Sequence, residues 1–410
     1  MPGAPTPWDG KEVSREVYLD YAAATSMDPG AVRAMEPFLS NEFYNPSAPY
    51  APARRAHAAL EDARASLARV MGARPASITL TAGATEANNL AFACVDGEVV
   101  TDAAEHESVL AVAQARGGVI VGVGPDGRVD PDEVAQAITP RTELVSVEAA
   151  NGEVGAIQPV RRVAAVVAAE RDRRLRAGES CPILLHVDAS QAAGYVSVAV
   201  SSLGADLVTL SAAKVYGPKQ VGLLWSSDRV RLRPLVLGGG QEGGVRSGTE
   251  NVAGAVAFAH SLELAERMRP QEVRRLAALR DDLEGRLRRE FPWCVVSGPR
   301  QGRLRLPGLL HVSFPRLDAR RLVILLERRG VYVGTGSACA ASRMRSSHVL
   351  AAMGVPDVVA QGSLRITLGR QTGAEDVAYA SRQIAACVRD EMARLSLTDD
   401  DMRQAAGGGA

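Results

Sequence analysis

Three side chains that lie far apart in the chain could together handle the sulfur of an amino acid: Asp188, Lys214 and Cys339. The lysine carries most information because lysine is scarce. Of 47 basic residues only Lys11, Lys214 and Lys219 are lysines. Arginine stays protonated at any working pH and cannot condense with a carbonyl, whereas a desolvated lysine can. The segment Ser211-Ala212-Ala213-Lys214-Val215-Tyr216-Gly217-Pro218-Lys219 therefore places primary amines where chemistry requires one. Upstream, His186-Val187-Asp188-Ala189-Ser190-Gln191 closes an apolar run with an acid, and downstream Cys339 sits in the small-residue run Gly334 to Ser342. An amine for an aldehyde, an acid for a pyridinium nitrogen and a thiol are the side chains of pyridoxal-phosphate sulfur chemistry.

Such residues need rigid elements behind them. Short β-branched runs alternate with helical periodicity, which is the α/β pattern. Ala51 to Met71 predicts an amphipathic helix, and Ser77 to Thr81 a strand that turns through Ala82-Gly83-Ala84 into a helix beginning near Thr85. Further strands are predicted at Val99–Thr101, Gly118–Val123, Leu144–Val147, Ile183–Val187, Leu207–Leu210 and Val221–Trp225. Runs that are apolar throughout suit a central sheet covered on both faces. A Gly-rich passage, Gly238 to Thr249, precedes a long helical stretch, Val252 to Arg289. At 410 residues two domains are expected. We place an N-terminal arm at 1–25, a large domain with a mostly parallel sheet at 26–260, a smaller α/β domain at 261–396 and a frayed tail at 397–410.

Position relative to these elements sorts the remaining candidates. Gly83-Ala84-Thr85-Glu86 follows a strand and opens a helix, so its free N–H groups could seat a phosphate, although a plain N-cap explains it as well. Asp188 and Gln191 stand at the carboxyl end of a strand, where open α/β sheets place ligands. His106 also follows a strand and could stack on an aromatic cofactor and shuttle protons, while His57, His260 and His311 read as structural. Cys339, with Arg343 and Arg345 nearby, reads as the nucleophile. Cys94, Cys181, Cys294 and Cys387 read as inert. Arg365 lies inside a strand-like run and must meet an anion, either a substrate carboxylate or an internal acid.

Composition narrows the classes. A formal net charge of zero provides no global field for nucleic acid or an anionic membrane. No apolar run reaches the roughly 18 residues of a membrane span, and the Pro/Gly-rich stretch Met1 to Lys11 reads as neither signal peptide nor anchor. Five scattered cysteines, never in a C-x-x-C pair, predict reduced thiols in a cytoplasm and no metal site.

Taken in register, the motifs resemble those of the cysteine desulfurases, the NifS/IscS-like branch of the class V aminotransferases. They are Tyr18 to Thr25, Asn45-Pro46-Ser47, Gly83 to Glu86, Glu105-His106, His186 to Gln191, Tyr216 to Lys219, Arg246 to Thr249 and Ser337-Ala338-Cys339. The resemblance implies a homodimer of the pyridoxal 5'-phosphate fold type I. In it Lys214 would hold the cofactor covalently, Asp188 would pair with its ring nitrogen, Gln191 with its phenolic oxygen, and His106 would stack on the ring. Ala84, Thr85, Ser211 and the partner subunit's Thr249 would bind phosphate, with Asn151 as a further cofactor contact. Asn45 and Arg365 would hold the carboxylate of L-cysteine. Cys339 would take the sulfur as a persulfide, release alanine and pass the sulfur to an acceptor protein or small molecule.

Three positions depart from the family pattern. Ala213 stands where a histidine usually precedes the lysine, Gly152 where a second asparagine usually follows Asn151, and Pro49-Tyr50 near an expected histidine. One lost hydrogen bond to a charged group is worth about 1.5–3 kcal/mol, enough to weaken cofactor affinity without abolishing it. Selenocysteine lyase, another class V enzyme independent of Cys339, and a non-catalytic scaffold are the alternatives. Iron–sulfur assembly, tRNA thiolation, DNA phosphorothioation and natural-product sulfur all begin with this chemistry.

Overall fold

The computed structural model describes residues 15–336 and 347–407. Two compact units emerge. One, the larger, comprises Ala24–Gly152 and Ala156–Glu272. The other takes the described chain through Ala23, Glu153–Gly155 and everything from Val273 onward. The division falls inside the helix Val252–Glu290, shortly after Pro270.

The strands, in chain order, are β1 (Val17–Tyr18), β2 (Ile78–Thr81), β3 (Glu98–Asp102), β4 (Val119–Val121), β5 (Thr142–Ser146), β6 (Leu184–Asp188), β7 (Leu207–Ser211), β8 (Gly222–Ser226), β9 (Val295–Ser297), β10 (Leu309–Ser313), β11 (Val331–Tyr332) and β12 (Ser363–Thr367). The larger unit holds a seven-stranded sheet in the order β2-β8-β7-β6-β5-β3-β4. Strands β3 to β7 pair in parallel, and β8 alone runs opposite to both its neighbours. All five residues of β6 and of β7 are buried, as strands covered on both faces must be.

The covering helices follow from periodicity. The helix Ala51–Met71 buries Ala53, Ala56, Leu60, Leu67 and Met71 on one stripe and stops at Gly72, whose φ of 63° closes the last turn. The helices Ala84–Ala93 and Glu107–Ala115 contribute Ala87, Leu90, Phe92 and Val109 to a core shared with Leu144 of β5, Leu184 of β6, Leu207 of β7 and Leu224 of β8. Each large apolar side chain buried there contributes about 1.5–3 kcal/mol. A Leu207→Ala truncation would remove about 2–5 kcal/mol.

The second unit is built on an antiparallel sheet ordered β12-β10-β9, with β1 of the N-terminal arm paired in parallel with β11. One expectation is corrected here. Residues 399–407 are not frayed but form the helix Asp399–Gly407. Thr398 Oγ1 accepts from Asp401 N–H at 3.2 Å and Asp401 Oδ2 accepts from Thr398 N–H at 2.8 Å, a reciprocal cap. Met402 is fully buried, and Trp293 Nε1 donates to Asp399 at 2.9 Å. No described helix is long and apolar enough to cross a membrane.

Candidate active site

The site is a row along the carboxyl edge of the larger sheet. Parallel strands in adjacent positions end level with one another, so the residues at or just past the ends of β7, β6, β5 and β3 become neighbours in that order. Those residues are Ser211 and Lys214, then Asp188 and Gln191, then Asn151, then His106. Gly222 pairs with both Ser211 and Thr81, which brings the end of β2 and the turn at Gly83 to the same edge.

That turn is shaped for an anion. Gly83 has a φ of 127°, and a Cβ on Gly222 would lie 2.7 Å from the Gly83 backbone, so both positions require glycine. No side chain caps the helix Ala84–Ala93. Its first N–H groups, those of Ala84 and Thr85 included, are therefore available at the positive end of the helix dipole. Glu86 secures the turn by accepting from Ala82 N–H at 2.7 Å and pairing with Arg246 at 2.9 Å.

Asp188 is held from two sides. Ser190 N–H donates to Oδ1 at 2.9 Å and Asn88 Nδ2 donates to Oδ2 at 2.8 Å. The same Asn88 nitrogen donates to Ser108 Oγ at 2.9 Å, and Ser108 Oγ lies 2.8 Å from His106 Nδ1. A buried chain of hydrogen bonds thus ties the carboxylate to the imidazole. Neither Asn88 nor Ser108 was singled out from the sequence. The available signal was one polar residue, Asn88, on an otherwise apolar helical stripe with Ala87 and Ala91.

The turn bearing Lys214 is clasped by Thr25. Thr25 Oγ1 donates to the Ala213 carbonyl at 2.9 Å and accepts from Tyr216 N–H at 2.9 Å. Ser261 Oγ donates to the Tyr216 carbonyl at 3.1 Å. Lys214 itself is half-buried. Thr25 belongs to the Tyr18–Thr25 motif, but its role as a clamp required the fold.

The atypical Gly152 has a structural partner. A Cβ there would come within 2.8–3.0 Å of the Gln191 side chain, so Gln191 occupies the room a larger residue would need. Asn151 Nδ2 is committed inward, to Glu148 Oε1 at 2.8 Å and the Ala104 carbonyl at 3.0 Å. It enters a cluster of buried acids, Asp102, Glu105 and Glu148, that sequence reasoning did not identify. Burial pushes Asp102 up to about 7, and burial first, then the neighbouring carboxylates, hold Glu105 and Glu148 well above their usual range.

The other residues are placed as follows. Asn45 is exposed and its Oδ1 accepts from Ser47 N–H at 2.9 Å. Thr249 lines a cavity of about 260 Å3 with Arg246, Gln220 and Glu250. In the smaller unit Arg365, in β12, donates Nη2 to Asp20 Oδ1 at 2.9 Å and is 5% exposed, so an internal acid does meet it. Gly334 gives that guanidinium room, since a Cβ would sit 3.1 Å from Nη2. Cys339 lies outside the described residues. Burial pushes the thiols of Cys94, Cys181 and Cys387 up, and that of Cys294 to about 11, which agrees with reading all four as inert.

A mostly parallel sheet with an acid, a lysine and an imidazole along its carboxyl edge, joined to a smaller α/β unit, is the type I fold of pyridoxal-phosphate-dependent transferases. A solved NifS-like protein superposes with a TM-score of 0.82 at 32% identity, covering 92% of this chain and all of that one. SspA, solved in complex with cysteine, gives 0.71 at 31% identity over 86% of this chain and 98% of that one. The cysteine desulfurase IscS of Dictyoglomus turgidum is 38% identical over 379 residues, 90% of this chain and 93% of the relative. Residues 17–379 match the class-V aminotransferases. The chain belongs to that family.

Proposed function

We propose that this protein is a cysteine desulfurase, converting L-cysteine to L-alanine and transferring the sulfur through Cys339 to an acceptor. The observation that carries the reading is the row Lys214, Asp188, Gln191 and His106 along one sheet edge, with the uncapped Gly83 turn level with it. The residues present fit pyridoxal 5'-phosphate. The open helix N-terminus and its two obligatory glycines suit a phosphate, Asp188 a ring nitrogen and Lys214 an aldehyde. When bound, that cofactor supplies an electron sink for negative charge at the substrate Cα.

The chain's own residues divide the work. Lys214 Nζ would hold the cofactor and, once released from it, would move the Cα proton. Asp188, fixed by Ser190 and Asn88, presents a carboxylate whose position does not depend on the ligand. Gln191 serves the phenolic oxygen, Asn151 being committed elsewhere. His106, oriented by Ser108, would lie against the ring and exchange protons at Nε2. Ala84, Thr85, Ser211 and the partner subunit's Thr249 bind phosphate, while Asn45 and Arg365 receive the substrate carboxylate. The Cys339 thiolate attacks the substrate sulfur: an S–S bond forms, the substrate's C–S bond breaks, and the carbon fragment takes a proton and leaves as alanine. A homodimer is supported by large apolar side chains left exposed on the larger unit, Leu39, Phe43, Tyr50 and Leu237 among them.

With cysteine as substrate, the wild-type protein should yield alanine and protein-bound sulfane sulfur in equal amounts. A Cys339→Ala variant should yield neither at a comparable rate. Undiminished alanine production by that variant would overturn the reading.

A further inference from the structure

Within the smaller unit, the second half of the long helix, strand β9 and the loop after it line a half-open cavity of about 620 Å3. Arg280, Arg288, Arg300 and Arg305 line it, against only two acids, Asp281 and Glu284. Two of these arginines form its floor, Arg280 being 2% and Arg305 7% exposed.

The acids are shared. Asp281 accepts from Arg280 Nη2 at 2.7 Å, and Glu284 accepts from both Arg305 Nη2 at 2.8 Å and Arg288 Nε at 2.9 Å. Arg305 Nε is buried and makes no hydrogen bond, and Arg300 is exposed. Gly302 keeps backbone near the Arg280 guanidinium without covering it, since a Cβ there would stop 4.0 Å from Nη2. Burial, then the charge of Arg305, pushes Arg280 below its ordinary range. Two guanidiniums buried side by side raise each other's energy, and a buried donor without a partner adds to that cost. The cavity therefore has two positive charges in excess.

We propose that this cavity binds a phosphorylated small molecule, its phosphate received by Arg305 and Arg300 between the flanking Arg280 and Arg288. Planar guanidinium forks match phosphate oxygens in pairs, and a dianion balances the excess. The volume is that of small-ligand sites. A polyanionic macromolecule fits less well, because the whole chain has no net charge to steer one.

The test is calorimetric titration of the full chain, loaded with pyridoxal phosphate so that its other phosphate seat is filled, using inorganic pyrophosphate as the probe. Binding should be measurable, should weaken about tenfold in Arg300→Ala, and should be lost in Arg305→Gln. An Arg403→Ala control should bind as wild type does. Because Arg305 is buried and its variant could unfold, the exposed Arg300 keeps the test decisive. Absence of pyrophosphate binding, equal binding by Arg300→Ala, or equally tight binding of acetate would each overturn the proposal.

Discussion

The two sheets each bury a histidine in mid-strand and treat it in opposite ways. In the seven-stranded sheet His186 of β6 lies 2.8 Å from Ser146 Oγ and 3.0 Å from Thr209 Oγ1, so both ring nitrogens are used. Burial pushes it down to about 4, and it serves as a neutral strut between neighbouring strands. In the three-stranded sheet His311 of β10 has no hydrogen-bond partner at either nitrogen, and it stands opposite Arg365 in the ladder. Burial first, then the Arg365 charge, pushes it down to about 3. The first sheet satisfies its buried imidazole from the two neighbouring strands and presents a preorganised edge. The second keeps unsatisfied polarity beside a buried cation, an environment that an incoming anion would complete.

If that contrast holds, the largest effect belongs to the preorganised edge. Lys214→Ala should lower alanine formation by about 10⁴-fold and abolish the absorbance band near the edge of the visible range. Borohydride treatment of the wild type should modify that lysine. A coloured, active Lys214→Ala protein would remove the chemistry from this edge altogether.

Next comes Arg365, on the other sheet. Arg365→Lys should reduce kcat/KM for cysteine by about 10²-fold, mainly through KM, because a point charge replaces a planar fork. An unchanged KM would leave Arg365 with the Asp20 ion pair as its whole task.

A smaller effect is expected within the buried chain of the first sheet. Asn88→Ala leaves Asp188 Oδ2 and Ser108 Oγ without their shared donor and should cost about 1–3 kcal/mol in urea unfolding. A negligible cost would show that Asp188 is positioned by Ser190 alone.

Within any single pH unit the effects are smaller, and they separate the sheets by pH. His311 has its folded value depressed to about 3 from an ordinary 6.5, so the unfolded chain binds its proton first. Its contribution is full above about 6.5 and is lost as the pH falls toward 3, by at most about 1.4 kcal/mol per pH unit. His311→Phe should flatten that acid limb. Asp102 shifts the other way, to about 7 from 3.8, so the folded chain holds the proton. Its contribution is full below about 3.8 and is lost as the pH rises through 7, and Asp102→Asn should flatten that limb. Equilibrium denaturation at stepped pH measures both, and identical profiles for wild type and both variants would erase the distinction between the sheets.

Much of this edge was legible in the chain. Asp188, Lys214 and His106 stand out because each follows an apolar run at the point where strands hand over to turns. The helix Ala51–Met71 was legible to the residue because its stripe and its Gly72 stop agree. The reversed direction of β8 was not, since a run buried on both faces reads the same whichever way it points. The helix Asp399–Gly407 was obscured by the glycines after it, although Thr398 and Asp401 carry a capping signature. The contacts of Asn88 with Asp188, the clamp role of Thr25 and the meeting of Glu148 with Asp102 and Glu105 were not legible for a common reason: these partners lie many residues apart, and spacing along the chain says nothing about them.

By itself the sequence determined the chemistry available, because side-chain type decides which groups can condense, titrate or attack, and local periodicity decides which segments become strands and helices. Tertiary structure decided which of those groups meet. Strand order set Asp188 beside Lys214, Asn88 linked Asp188 to His106, and Gln191 filled the space beside Gly152. Hydrogen bonds act over about 3 Å, so contacts between residues distant in the chain exist only after packing has fixed the register that brings them together.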